Sequence, residues 1–338
     1  MRSALDPVSP WGLRSKVHVS FVIPLFNKEK TISSCLSAVL GNNNEYFESE
    51  IIVIDDGSRD GSDRAVRELG NDARLKLIKS EHMGAAHARN VGIAWSKGDW
   101  LIFLDADSVI EKGFFEAVYS HLVDPNIFIG GWVGALNNGR LLPRLIERWQ
   151  ICRRTTPWGS CVVYPRKILQ SIGIFDERMI AGEDGDLCLR AFEHGYRCVM
   201  LPQIVARTFH PENLVSFLKQ KVRDARGFEL LTEKHGSEFP NFWKTDMMFK
   251  LSLIATAAAS IALFPFFPLM VIGILPILLY NALRNRDLIG TQGYWFLFPF
   301  IFSIADFGFL AGWLLQKTMS LLGRSPFGDS YIRPSSEP

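Results

Sequence analysis

Two carboxylates one residue apart, Asp105 and Asp107, end the apolar run Trp100-Leu101-Ile102-Phe103-Leu104. Hard oxygens at that spacing suit a divalent cation, and Mg²⁺ typically takes one or two carboxylates plus substrate phosphates. A short apolar run reads as a buried strand. The pair then sits at the strand's carboxyl end, where open α/β sheets bind their ligands. A solvated turn rich in aspartate has the same composition, so this pair alone leaves both readings open. A second acidic pair, Asp55-Asp56-Gly57-Ser58, follows the apolar run Ile51-Ile52-Val53-Ile54. A carboxylate there can accept hydrogen bonds from a base or ribose, or open the next helix through an Asx-type turn. A third pair, Glu183-Asp184, precedes an apolar-periodic stretch from Leu187 to Phe192 that Gly195 closes. Acidic residues are favoured in the first turn of a helix, whatever else they do.

The elements that must position these pairs alternate. Val17 to Pro24 reads as a first strand, Thr31 to Leu40 as a helix and Ile51 to Ile54 as a second strand. Asp63 to Leu69 follows as a helix, with Asp60 or Ser62 near its start. Leu75 to Ile78 is a third strand, Gly84 to Trp95 a helix and Asp99 to Leu104 a fourth strand. Strands alternating with helices of these lengths predict a parallel sheet with helices on its faces.

The bulk numbers narrow the class. A formal charge of +2 on 338 residues does not suggest a nucleic-acid partner. Five scattered cysteines with no CxxC pair argue against a disulfide framework or a structural zinc site, and fit a reducing compartment. The amino terminus has charges but no apolar h-region, so no secretory signal is expected. From Leu251 to Leu283 there is no charged residue, and a second apolar segment runs from about Tyr294 to Leu315, broken by Asp306. These lengths exceed the roughly 20 residues that span a bilayer. Basic residues flank every segment (Lys244, Lys250, Arg284, Arg286, Lys317, Arg324), which favours a cytosolic catalytic domain on an integral membrane protein. Basic amphipathic patterns from Asn213 to Leu231 and from Leu141 to Ile151 suit helices on an anionic membrane surface, or helices packed on the domain.

Five motifs in order now resemble a known family. They are Val22-Ile23-Pro24-Leu25-Phe26-Asn27, then Val53-Ile54-Asp55-Asp56-Gly57-Ser58, then Ala88-Arg89-Asn90-Val91-Gly92, then Phe103-Leu104-Asp105-Ala106-Asp107, and Gly182-Glu183-Asp184. Together, over roughly residues 17 to 235, they look like the family-2 glycosyltransferases with a GT-A fold. The resemblance implies that Asp56 meets the uracil or another base, and that Pro24, Phe26 and Asn27 line the base and ribose pocket. It implies Arg89 and Asn90 near the diphosphate and ribose, and Mg²⁺ or Mn²⁺ held by Asp105 and Asp107. Asp184 is implied as catalytic base with Glu183 supporting it, giving inversion at the anomeric centre. His210 falls where several related enzymes place a third metal ligand. Trp132 and Trp158 fall in segments resembling acceptor-side loops.

One departure bears on processivity. Related polysaccharide synthases carry QxxRW; here Gln220 and Arg223 match, with Arg223 near the diphosphate, but Asp224 replaces the tryptophan. That favours transfer of a single sugar. The expectation is therefore an α/β chain, a Rossmann-like GT-A domain followed by a C-terminal transmembrane helical region. It divides into an N-terminal extension 1–16, the domain 17–235 with an interfacial amphipathic helix 213–231, a transmembrane region 247–317 of two or three segments, and a tail 318–338. Expected partners are a nucleotide-sugar donor of the UDP-linked type, a lipid-linked or glycan acceptor and the membrane, with a homo-oligomer compatible. Two rivals remain. Asp105-Ala106-Asp107-Ser108-Val109 also fits the DxDx[TV] pattern of haloacid-dehalogenase-like phosphatases, with Asp105 as nucleophile. The third reading is an inactive, membrane-tethered nucleotide-sugar binder.

Overall fold

β1 (Val17–Leu25), β2 (Phe47–Asp55) and β4 (Trp100–Leu104) are apolar at nearly every core position because both faces of their sheet are covered. In this computed structural model the described residues are 16–42, 44–70, 72–153, 160–236, 279 and 298–322, with side chains described except at 148–153, 298–305 and 307. Alternate residues of each strand face opposite cores. Phe21, Ile23, Leu25, Ile51, Val53, Ile102 and Leu104 pack on one side with α1 (Ile32–Gly41), α2 (Ser62–Arg67) and α4 (Phe114–Tyr119). Val22, Ile52, Ile54, Leu101 and Phe103 pack on the other with α3 (Ala85–Trp95), α6 (Arg166–Ile172) and α7 (Glu183–Glu193).

The sheet runs in the order β3-β2-β1-β4-β7-β6-β8-β5. Its first four members, with β3 (Leu75–Lys79), are parallel. β7 (Cys161–Pro165) is antiparallel to β4 and to β6 (Ile127–Ala135). β8 (Arg197–Thr208) is parallel to β6, and β5 (Ser108–Ile110) is antiparallel to β8. Register fixes the site: Leu25 lies opposite Asp55, and Val22 opposite Phe103. All three parallel strands therefore end together, and the motif residues begin where they end.

Two glycines set how the helices meet this edge. On α3, a Cβ at Gly92 would meet the Val22 side chain and come 2.7 Å from Ile54 Cδ1. Only glycine lets the helix lie that close to the sheet. Gly182 caps α7 at φ +80, a conformation that favours glycine, so the chain turns sharply just before Glu183.

The chain divides into two compact units, Met1–Glu147 with Arg153–His210, and Arg148–Cys152 with Pro211–Pro338. α5 (Leu141–Arg153) straddles that division. In the second unit α8 (Leu214–His235) packs on α9 (Phe298–Leu321). Asn213 caps α8 by accepting from Ser216 N–H at 2.9 Å. Gly308 and Gly312 bring the two backbones together: a Cβ at Gly312 would meet Val222 O and sit 2.8 Å from the Val222 α-carbon.

The helix pair corrects an expectation. A transmembrane region over 247–317 and integral placement in a membrane are not supported, because among the described residues no helix is long and apolar enough to cross a membrane. Apart from Leu279, the Leu251 to Leu283 run lies outside the described residues. The part that is described, α9, is interrupted by polar groups engaged with α8. Glu229 accepts from Trp313 Nε1 at 2.6 Å and from Lys317 Nζ at 3.0 Å, and Arg226 Nε donates to Gln316 Oε1 at 3.4 Å. Phe309 lies 5.8 Å from the Phe228 ring of α8, while Leu314, Leu315 and Leu321 of the same helix are exposed. The basic stretch expected as an interfacial helix is α8, and its Phe217, Ala225, Leu230 and Leu231 are buried.

Candidate active site

The site grows from the carboxyl ends of β1, β2 and β4. Beyond β2, Asp55 Oδ1 accepts from Ser58 N–H at 2.9 Å, the Asx-type turn its composition suggested. Asp56 is buried and faces the loop after β3. It accepts from Met83 N–H at 2.9 Å and Gly84 N–H at 3.0 Å, and lies 2.9 Å from His82 Nδ1. The His82 ring stacks on Phe26, with centroids 4.0 Å apart and planes 15° from parallel. Both rings are exposed enough to offer a flat face. Asn27 adopts φ +51, and two bonds clip its loop to that of β2: Asn27 N–H donates to Ser58 Oγ at 3.0 Å, and Asn27 Oδ1 accepts from Arg59 N–H at 2.8 Å. Pro24 lies opposite Ile54 in the β1–β2 register, one residue before the strand ends.

Beyond β4 the two aspartates have different cationic partners. Asp105 accepts from Arg89 Nη2 at 2.9 Å and keeps a third of its side chain exposed. Asp107 pairs with Lys28 Nζ, and Thr208 Oγ1 donates to Asp107 Oδ1 at 3.3 Å. That threonine is delivered by the Ser108–Thr208 register of β5 and β8. Arg89 also donates to Glu183 Oε1 at 2.6 Å, and its guanidinium lies 5.4 Å from the Phe175 ring centroid. Burial works against the charge on Arg89, yet Glu183 and Asp105 together hold its pKa above the usual arginine value.

Asp184 follows Glu183 in the first turn of α7, with Oδ1 accepting from Gly185 N–H at 2.8 Å. Burial pushes its carboxyl up to about 6, and Glu183 adds to the rise; Arg89 and the Gly185 N–H pull the other way. Two residues on, Asp186 is fully buried and paired with Arg190 at 2.9 Å, and serves the fold.

Among the described residues no three His, Cys, Asp or Glu side chains gather closely enough to hold a metal by themselves, His210 included. Mg²⁺ does not require such a cage, since it usually keeps waters and takes one or two carboxylates with substrate phosphates. Asp105 and Asp107, partly exposed and already attracting cations, fit that donor set. His210 is buried, and its backbone exchanges two hydrogen bonds with the Asn137 amide at 2.9 and 3.1 Å. Trp132 is partly buried in β6 opposite Ile204. Arg223 lies on α8 of the second unit, and Trp158 lies outside the described residues.

The first unit thus brings together Arg89, Asp105, Glu183 and Asp184. Lys28, His82, Phe175 and Glu177 were missed in the sequence. Only Lys28 carried a signal there, as a cation directly after Asn27 in a strand-end loop.

Comparison with known proteins bears on the family and the fold. The family described as Glycosyl transferase family 2 matches residues 20–175, and the one described as Glycosyl transferase family group 2 matches residues 100–315. The Haloferax volcanii glycosyltransferase AglE is 27% identical over 221 residues, covering 62% of this chain and 72% of that protein. An Escherichia coli protein named UDP-Glc:alpha-D-GlcNAc-diphosphoundecaprenol beta-1,3-glucosyltransferase is 34% identical over 135 residues, 39% of this chain and 52% of its own. The matched share of such curated relatives' own length runs from 15% to 72%. Among solved structures, the mannosyltransferase PcManGT from Pyrobaculum calidifontis, in complex with GDP-Man and Mn²⁺, superposes with a TM-score of 0.59 at 18% identity, covering 89% of this chain and 87% of that one. At that identity the likeness shows a shared fold.

Proposed function

The chain belongs to the family-2 glycosyltransferases, and from that premise we propose that it moves a sugar from a UDP-linked donor to a hydroxyl of a glycan or lipid-linked acceptor, with inversion and with Mg²⁺ or Mn²⁺. Membership removes the phosphatase alternative for Asp105. The observation that carries the reading is Arg89, whose two nitrogens bridge Asp105 at the strand end and Glu183 beside Asp184. One side chain thereby joins a donor end to an acceptor end.

In this reading the base rests against the Phe26–His82 face, and the diphosphate lies over the ends of β1 and β4. Lys28 and Arg89 offer it positive charge. Asp105 and Asp107 would hold the metal, which when bound neutralises charge developing on the leaving diphosphate. Asp184 accepts the proton of the acceptor hydroxyl. The hydroxyl oxygen bonds to the anomeric carbon from the face opposite the diphosphate as the bond to that diphosphate breaks. A carboxyl raised toward neutrality is a stronger base than an ordinary aspartate, which suits general-base work. The named UDP-Glc donor and lipid-diphosphate acceptor of the Escherichia coli relative support the donor and acceptor classes chosen here.

The test is nucleoside diphosphate release from a panel containing UDP-glucose, UDP-N-acetylglucosamine and GDP-mannose, with Mn²⁺, Mg²⁺ or EDTA. Release from a UDP-sugar that EDTA abolishes is the expected result. Release that EDTA leaves intact overturns the metal role. Release from GDP-mannose alone overturns the UDP assignment.

A further inference from the structure

We propose that Asn90 is a positioning residue for the general-base loop and does not contact the donor. The loop in question runs from Gly173 to Gly182, between α6 and α7, and delivers Glu183 and Asp184. Asn90 holds both backbone polar groups of one residue in it, Phe175. Its Oδ1 accepts from Phe175 N–H at 3.0 Å, and its Nδ2 donates to Phe175 O at 2.9 Å. The second Nδ2 hydrogen goes to Glu177 Oε1 at 2.8 Å. Both amide hydrogens are thereby used, and the residue is 8% exposed. No donor is left for a ribose hydroxyl.

The clamp has a second jaw and a downstream load. His87, three residues earlier on α3 and so on the same face, places Nδ1 2.9 Å from Glu177 Oε2. Arg190 grips the start of the loop through the carbonyls of Ile172, at 2.6 Å, and Ile174, at 2.8 Å. Phe175, fixed by Asn90, sets its ring edge-on to Phe103 of β4 at 4.9 Å and beneath Arg89 at 5.4 Å. Arg89 in turn binds Glu183. A shift of Phe175 therefore reaches the base through its neighbour and through the loop backbone alike.

The catalytic part of this inference rests on the proposed function, and the loop part does not. The experiment compares wild type with Asn90→Ala and Glu177→Ala. It measures nucleotide dissociation by calorimetry with UDP, turnover of the UDP-sugar that the wild type accepts, and amide hydrogen exchange across residues 174–184. A displacement of about 1 Å costs roughly 100-fold in rate. We expect a kcat loss of that order for Asn90→Ala, roughly tenfold for Glu177→Ala, UDP affinity within about twofold, and faster exchange in the loop. UDP binding weakened tenfold or more with kcat retained would make Asn90 a donor contact and overturn the proposal, as would unchanged kcat. Should Asn90→Ala fail to fold, Glu177→Ala, at a half-exposed side chain, carries the same comparison. If the wild type releases no nucleoside diphosphate from any donor, the proposed function fails. The exchange data then decide the clamp alone, and unchanged exchange overturns it.

Discussion

Acidic side chains meet cations both at the strand ends of the first unit and between the helices of the second, with different outcomes. Glu229 on α8 is 3% exposed in its side chain, and each oxygen has its own donor, Trp313 or Lys317. Asp105 is 34% exposed and Asp107 21%, so each carboxylate keeps part of its surface open beside its cation. A saturated carboxylate holds two helices together. A carboxylate with room beside it can exchange its partner. The contrast separates architecture from chemistry better than burial or charge taken singly.

The largest test of that contrast is Asp184→Asn. Removing a positioned base costs roughly 100- to 10,000-fold in rate, and donor affinity is expected to stay within about twofold, read by single-turnover kinetics beside calorimetry. The wild type adds a pH signature. The proposed base must be ionised to act, so in that reading the rate falls as pH drops through the raised Asp184 value of about 6. An acidic limb centred near 4 would show that burial does not govern this carboxyl. Next comes Arg89→Met, which leaves Glu183, 14% exposed, without its cation. Breaking a buried pair on one side costs about 3–5 kcal/mol, measurable by denaturant unfolding.

How far each region was legible follows from the same physics. β1, β2 and β4 are covered on both faces, so their runs are continuous in sequence and their ends stand out. Asp55 could be read as a turn because its partner, Ser58, is three residues away. The partners of Asp56 are 26 to 28 residues away on another loop, and nothing local announces His82. The strands after β4 also went unread, since β5 finds β8 and β6 finds β8 across long separations. The helix pair misled for another reason. Hydropathy along α9 records apolar side chains without recording what faces them, and the complementary face belongs to α8. The glycines that allow it, Gly308 and Gly312, look like any other small residues in an apolar run.

The smaller predictions sharpen the second region. Gly312→Ala forces a methyl against Val222, and such overpacking costs about 1–3 kcal/mol, seen as a lower unfolding midpoint. A neutral result would mean that α8 and α9 separate freely. Glu229→Gln keeps an acceptor for Trp313 but loses the charge facing Lys317. Lys317 is half exposed and can rehydrate, so about 1 kcal/mol is expected. Transfer activity should be unaffected, and a large activity loss would mean the pair does more than hold the helices.

The clip between Asn27 and the Ser58–Arg59 turn has a consequence for how a nucleotide arrives. Each backbone residue frozen on binding costs about 1–2 kcal/mol of entropy. Two loops already tied by their own hydrogen bonds have spent that cost during folding. In the proposed reading, nucleotide association there is a rigid docking event, and preorganisation of this kind shows up as tighter binding without added contacts. Asn27→Gly would keep the left-handed backbone while cutting the Arg59 bond, so the entropy of nucleotide binding should become less favourable while its contacts persist.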